Sequence, residues 1–264
     1  MTLLLRAELL KLRTVRVTYG LILTVAALTA LFAVIESSLA GKTSGTYTVA
    51  SLATVAGQTT VTTLTSWSMI LAAVLGILVA SGEFRHSSAT LTYLATPDRT
   101  RVLLAKMPAA ALVGAVFGLV AAAISTGFAL AFIAGRGDAI TLGTAAMLGH
   151  AAGAMVGAAL LATIGVGLGS LIRSQLVGII AIFIWALVIE SLIGGLFTSI
   201  RPYLPYTAAT SLAGIKLGGA AFGPAHNATG GSPLPFAAAA GLLIGVAALI
   251  AVIGARTTMR RDIA

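Results

Sequence analysis

Glu190 is the only acid inside a long apolar run of this 264-residue chain, in the 27 residues from Ser174 to Ile200. A carboxylate at membrane depth is costly and marks a transport path or proton relay by default. Counting from Arg173 at a rise of 1.5 Å per residue places Glu190 about 25 Å along its helix, near the far edge of a bilayer core. It is therefore a candidate for the translocation path or its gate, and an interfacial or structural role is the alternative. A Thr-rich stretch over residues 54–66 supplies two further path or gate candidates, Thr59 and Thr63. Threonine in a helix can bond its own backbone, so this stretch reads as a polar extension of a spanning helix.

Other chemistries fall away. Gly41-Lys42-Thr43 echoes the end of a phosphate-binding loop, but Glu36 stands where the first glycine is required, so the chain lacks that route to ATP. It has no His-Glu-x-x-His and no Gly-x-Ser-x-Gly, and His86, His150 and His226 are far apart. With no cysteine there is no thiolate metal site, thiol nucleophile or disulfide framework. The chain is expected to bind no metal or cofactor and to have no catalytic residues. His150, between Gly149 and Gly153, reads as satisfied by a neighbouring helix.

These residues must be positioned by membrane helices. Hydrophobic residues make up 58% and charged residues 9% of the chain, against about 25% charged in soluble domains. Six spans fit, over about 17–38, 58–82, 107–134, 140–172, 175–198 and 234–255. The runs are too long and too uniformly apolar for barrel strands, so the fold class is an all-α integral membrane protein. Glycine pairs at i, i+4 (Gly114/Gly118, Gly149/Gly153/Gly157, Gly241/Gly245) read as packing seams.

With both termini in the cytoplasm, cytoplasmic segments hold 12 of the 16 Lys and Arg residues; the other side holds Lys42, Arg136, Arg201 and Lys216. That bias accounts for the net charge of +9, and charges this dispersed form no nucleic-acid face. The N-terminal run is of spanning length behind a long basic region, so it reads as a span rather than a cleaved signal. Before it, residues 3–16 place Leu5, Leu9 and Leu12 on one face, with Arg6, Glu8, Lys11 and Arg13 elsewhere, as in an interfacial amphipathic helix. Residues 201–233 are rich in proline and read as an irregular extracellular segment, with a short interfacial helix expected near Thr207–Leu217.

The connection 83–106 between spans 2 and 3 is the longest cytoplasmic segment. It carries Glu83-Phe84-Arg85-His86, then Thr96-Pro97-Asp98-Arg99, and ends at Ala105-Lys106. Pro97 disfavours helix at Thr96 and Asp98 can cap a new helix after it, which suggests helix, break, helix. Such an element could dock a soluble partner, or it could be a solvated connector.

These residues resemble the corresponding loop of ABC-2 type transporter permeases, six-span subunits of bacterial ABC exporters, whose pattern is Glu-aromatic-Arg, a Gly-Thr pair, Thr-Pro-x-Arg and a final Ala-Lys. Ser87-Ser88 stands in place of Gly-Thr. The basic helix before span 1 and Leu204-Pro205 after span 5 fit the same layout. The resemblance implies a multi-pass protein of the bacterial plasma membrane, without its own ATPase. It would work with a second permease chain, identical or not, and a separate ATP-binding subunit that carries the ATP and Mg. Glu83, Phe84, Arg85, His86, Pro97, Asp98, Arg99 and Lys106 would couple the loop to that subunit, and the Pro-rich segment would form an outer re-entrant lid. The rival expectation is an ATP-independent transporter or channel, which calls for repeats, broken helices or several intramembrane charges.

Overall fold

In lipid a backbone must satisfy its own hydrogen bonds, so apolar runs of this length have helix as their solution. The computed structural model describes residues 2–44, 47–85, 99–172, 174–215 and 233–257. An amphipathic helix α1 (Thr2–Thr14) leads into α2 (Arg16–Leu39). A two-residue antiparallel ladder, Thr43–Ser44 against Tyr47–Thr48, turns the chain into α3 (Val55–Thr62) and α4 (Ser66–Arg85). Next come α5 (Arg99–Arg136) and α6 (Thr144–Leu171). The fifth span is composite: α7 (Gln175–Phe183), a π-helical turn (Ile184–Ile189) and α8 (Glu190–Leu196). A short helix α9 (Pro205–Leu212) precedes the last span, α10 (Phe236–Thr257). Among the described residues six helical segments are long and apolar enough to cross a membrane, so the chain is a helical, multi-pass membrane protein with one two-residue ladder.

Small residues set the packing. The centre is the α4–α6 pair, where a methyl group on Gly76 would strike the Ala162 carbonyl and one on Gly165 would strike the Ala73 carbonyl. The backbones thus approach more closely than any larger side chain would allow. Gly114 and Gly118 of α5 lie as closely on Ala158 and Ala154 of α6, which places the first expected seam inside the bundle. Gly153 and Gly157 instead receive α9, while Gly149, Gly241 and Gly245 face open space. Span 2 is the most enclosed; spans 1, 5 and 6 are peripheral and present Leu23, Leu176 and Leu249 outward. In a bilayer those exposed leucines face lipid tails at no hydrophobic cost.

The helix boundaries shift two expectations. α4 continues to Arg85, and Lys106 lies two turns inside α5 rather than at the end of a loop. α1 packs along the start of α5, so the α4 end, the α5 start and α1 share one end of the bundle.

Candidate functional site

Three departures from regular helix stand out, in span 2, in span 5 and in the segment that follows it. Span 2 breaks at residues 63–65, between α3 and α4. Its threonine hydroxyls turn back on their own backbone: Thr60 donates to the Ala56 carbonyl, Thr62 to that of Gln58 and Thr63 to that of Thr59, at 2.8–3.0 Å. Span 5 widens by a π-helical turn, in which the Glu190 N–H bonds the Trp185 carbonyl. That i, i+5 spacing brings the Trp185 and Glu190 side chains together, and the indole Nε1 donates to Glu190 Oε1 at 2.8 Å. The third departure is α9. After Leu196 the chain turns back through a 3₁₀ turn at Arg201–Tyr203, and α9 packs against α6. Gly153 lies nine residues, or about 14 Å, below the first residue of α6 and is covered by the Leu212 carbonyl. α9 is therefore a re-entrant helix, and irregular backbone at this depth persists only where protein or a cavity surrounds it.

Glu190 holds α9 in place. Pro205 occupies the first turn, where its missing N–H is no loss. Leu204, at the cap position, offers no side-chain acceptor to the exposed N–H groups. Glu190 supplies one from the neighbouring span: Oε1 accepts from the Tyr206 N–H at 2.8 Å, and Oε2 accepts from the Thr207 N–H at 2.9 Å and the Thr207 hydroxyl at 3.1 Å. With the Trp185 indole this makes four donors, which saturates a carboxylate. The group is 3% exposed, so its charge is met by the positive end of a helix dipole and by neutral donors.

A cavity of about 280 Å³ lies beside this cap. Its walls come from α4, α6, span 5 and α10, and Glu190 with Pro205 and Tyr206 closes one end. Apart from the carboxylate, whose acceptors are taken, the lining is aliphatic and aromatic, including Ile70, Leu161, Ile182 and Ile250.

A second polar cluster fixes the α3 end. Gln58 is fully buried; its Nε2 donates to the Leu52 and Ala139 carbonyls and its Oε1 accepts from the Thr141 and Leu142 N–H groups, all within 2.9 Å. His150 Nδ1 lies 3.3 Å from the Thr62 hydroxyl. Thr62 gives its one proton to backbone, so the imidazole is the donor in this pair. His150 is thus held by a neighbouring span, and its ring covers Gly214, whose φ of 76° needs glycine.

At the other end of the bundle, Glu8 and Lys106 form a buried ion pair at 2.9 Å, and Lys11 reaches the second Glu8 oxygen at 3.0 Å. Burial alone would raise the Glu8 pKa; the two ammonium groups outweigh it and hold the carboxyl below its ordinary range. Leu12 is buried beside them, and Leu5 and Leu9 pack on the same core. Glu8 therefore turns inward with the leucines and not outward with Arg6 and Arg13.

The structure separates the expected path residues. Thr63 lies near Gly214, just past the end of α9, and Glu190 binds its start, about 10 Å of helix away. Of the expected coupling residues, Glu83, Phe84 and Arg85 form the last turn of α4 and Arg99 opens α5. His86, Pro97 and Asp98 lie outside the described residues, as do residues 216–232 of the Pro-rich segment. Among the described residues no three His, Asp or Glu side chains gather as a metal site. Sequence reasoning missed Glu8, Gln58, Trp185 and Thr207; only Glu8 had a usable signal, its place between Leu5 and Leu12 at helical spacing. No protein-family model matches this chain, and no curated protein matches it.

Proposed function

We propose that this chain is the membrane-spanning subunit of an ATP-driven exporter of the ABC-2 type, working with a separate ATP-binding subunit and a second permease chain in the bacterial plasma membrane. The observation that carries this reading is the 83–106 motif, together with the place where its flanking helices emerge. α4 ends at Arg85 and α5 begins at Arg99 at the end of the bundle where α1 lies. A partner that pushes on the loop would move α4 and α5 directly, and α1 through the Lys106–Glu8 pair. In this reading that end and both termini are cytoplasmic, as the distribution of Lys and Arg favours. The partner supplies ATP, Mg and hydrolysis, and α9 forms the inner wall of an outer re-entrant lid.

The test is purification of a tagged chain from native membranes, followed by identification of bound proteins and an ATPase assay. A stoichiometric subunit with a phosphate-binding loop, lost from Glu83→Ala and Arg99→Ala variants that still insert, is the expected result. A pure oligomer without ATPase activity overturns the reading.

One observation favours a second reading. A broken span 2 and a re-entrant half-helix facing a carboxylate are features of ATP-independent transporters. That reading predicts transport by the chain alone in liposomes, driven by an ion gradient and indifferent to ATP.

A further inference from the structure

We propose that the cavity between span 5 and α10 is a binding site for a single acyl chain of a bilayer lipid. The site is independent of the transport reading, because it rests only on the walls of the cavity and on its depth. Span 5 leans on α4, whereas α10 packs on α6 and α9, and the space between the two spans is left open. Trp185, which lines the cavity, is itself exposed on the outer side of span 5, and Ile184 and Leu249, next in sequence to the lining residues Trp185 and Ile250, are exposed too, so the mouth meets lipid.

Chemistry narrows the occupant. Water needs two to four polar partners, and an apolar cavity of about 150 Å³ already prefers benzene to water. At about 280 Å³ this cavity is larger and equally apolar. Left empty, its walls would forfeit dispersion contacts on one side. A cationic or hydrogen-bonding ligand would need a free acceptor, and the Glu190 oxygens are committed to Trp185, Tyr206 and Thr207. A flexible alkyl chain, supplied by the surrounding membrane, satisfies all of these conditions.

The chain has two tryptophans. Trp185 lines the cavity, and Trp67 stacks on Phe32 elsewhere. In a Trp67→Phe background, Trp185 therefore reports on the site. The experiment titrates purified protein in detergent with a brominated alkyl glucoside, and with a brominated alkyl trimethylammonium of equal chain length. The expected result is saturable quenching at one probe per chain, above a linear background from the exposed edge of the ring. The two probes should bind within about twofold of each other, since the headgroup stays outside the polar accounting of the site. Ala181→Phe, which fills the cavity from the span 5 wall, should leave only the linear part. Val246→Phe does the same from α10 if the first variant fails to insert. Linear quenching in every form, or saturable quenching that survives both fillings, overturns the site. A preference of tenfold or more for the cationic probe, about 1.4 kcal/mol, also overturns it, because that would require a free carboxylate.

Discussion

Glu8 and Glu190 are both buried carboxylates, 5% and 3% exposed, yet their charges are met in opposite ways. Glu8, on the amphipathic helix at one end of the bundle, faces the two ammonium groups of Lys106 and Lys11. Glu190, inside a span, is surrounded by neutral donors: two backbone N–H groups, a hydroxyl and an indole. The difference follows from depth. Near the interface a lysine can be desolvated cheaply and snorkel to water if the pair opens. Deep in the bundle a second full charge would add its own desolvation, whereas dipoles that must be satisfied anyway stabilise the carboxylate without it. The first carboxylate fastens one helix to another; the second replaces the capping residue that α9 lacks.

The largest expected effect comes from removing the deep carboxylate. Glu190→Ala leaves four donors without their acceptor, the Tyr206 N–H fully buried and the other three partly so, and a buried donor left unpaired costs about 1–3 kcal/mol. α9 should leave its groove, the thermal midpoint in detergent should fall steeply, and Trp185 emission should shift as the indole loses its partner. Glu190→Gln keeps one carbonyl oxygen but turns an N–H₂ toward the Thr207 donors, so it should rescue only part of the loss. If Glu190→Gln instead matches the wild type in stability and loses only transport, the carboxylate is a path group and not a cap.

The shallower pair should respond less severely to a single change. Lys106→Met strips Glu8 of its buried cation; breaking a buried pair costs about 3–5 kcal/mol, and the remaining Lys11 holds the loss near the lower end. The double variant Glu8→Leu, Lys106→Met should recover most of this, to within about 1 kcal/mol of the wild type, because an apolar pair of similar volume carries no desolvation. A double variant as unstable as Lys106→Met alone would show that the ion pair itself is needed for packing. The pair also predicts a pH response. The folded-state pKa of Glu8 is lowered, so its contribution is full above the ordinary carboxylate value of 4.5 and is lost as pH falls through the lower folded value. The difference in thermal midpoint between wild type and Glu8→Gln should therefore be constant from neutral pH to about pH 5 and shrink below it.

The same contrast divides the features that are legible in the sequence from those that are not. The six spans and the Thr-rich extension are local properties of composition and spacing, and the structure has them; the short helix expected at the interface near Thr207–Leu217 lies instead at Pro205–Leu212, turned back into the bundle. The inward turn of Glu8 is also readable, since residues 5, 8, 9 and 12 share a face; treating every charge as outward hides it. The role of Glu190 is not readable. It depends on a π-helical turn that rotates Trp185 toward it and on a segment about 16 residues later that folds back into the bundle. The Gly76–Gly165 contact escapes for a related reason: its two glycines lie on different helices, Gly76 has no glycine four residues away, and Gly165/Gly169 is one i, i+4 pair among many. Long-range backbone approach is a tertiary fact, and in a chain with 30 glycines the sequence marks too many candidates.

The smallest expected effect is the finest test of the capping role. Thr207→Val preserves side-chain shape and the backbone N–H, and removes only the hydroxyl that reaches Glu190 Oε2 at 3.1 Å. The carboxylate then keeps three donors, and the two backbone bonds that define the cap remain. A single net hydrogen bond to a charged acceptor is worth about 1.5–3 kcal/mol, but this one is the longest of the four, so a loss of about 1 kcal/mol is expected. Trp185 emission should stay as in the wild type, because its bond is to the other carboxylate oxygen. Combining Thr207→Val with Glu190→Ala should add nothing to the loss from Glu190→Ala, since the hydroxyl has no acceptor once the carboxylate is gone. Additive losses in that double-mutant cycle would mean that Thr207 stabilises α9 through some contact other than Glu190, and the two-oxygen division of labour would fail.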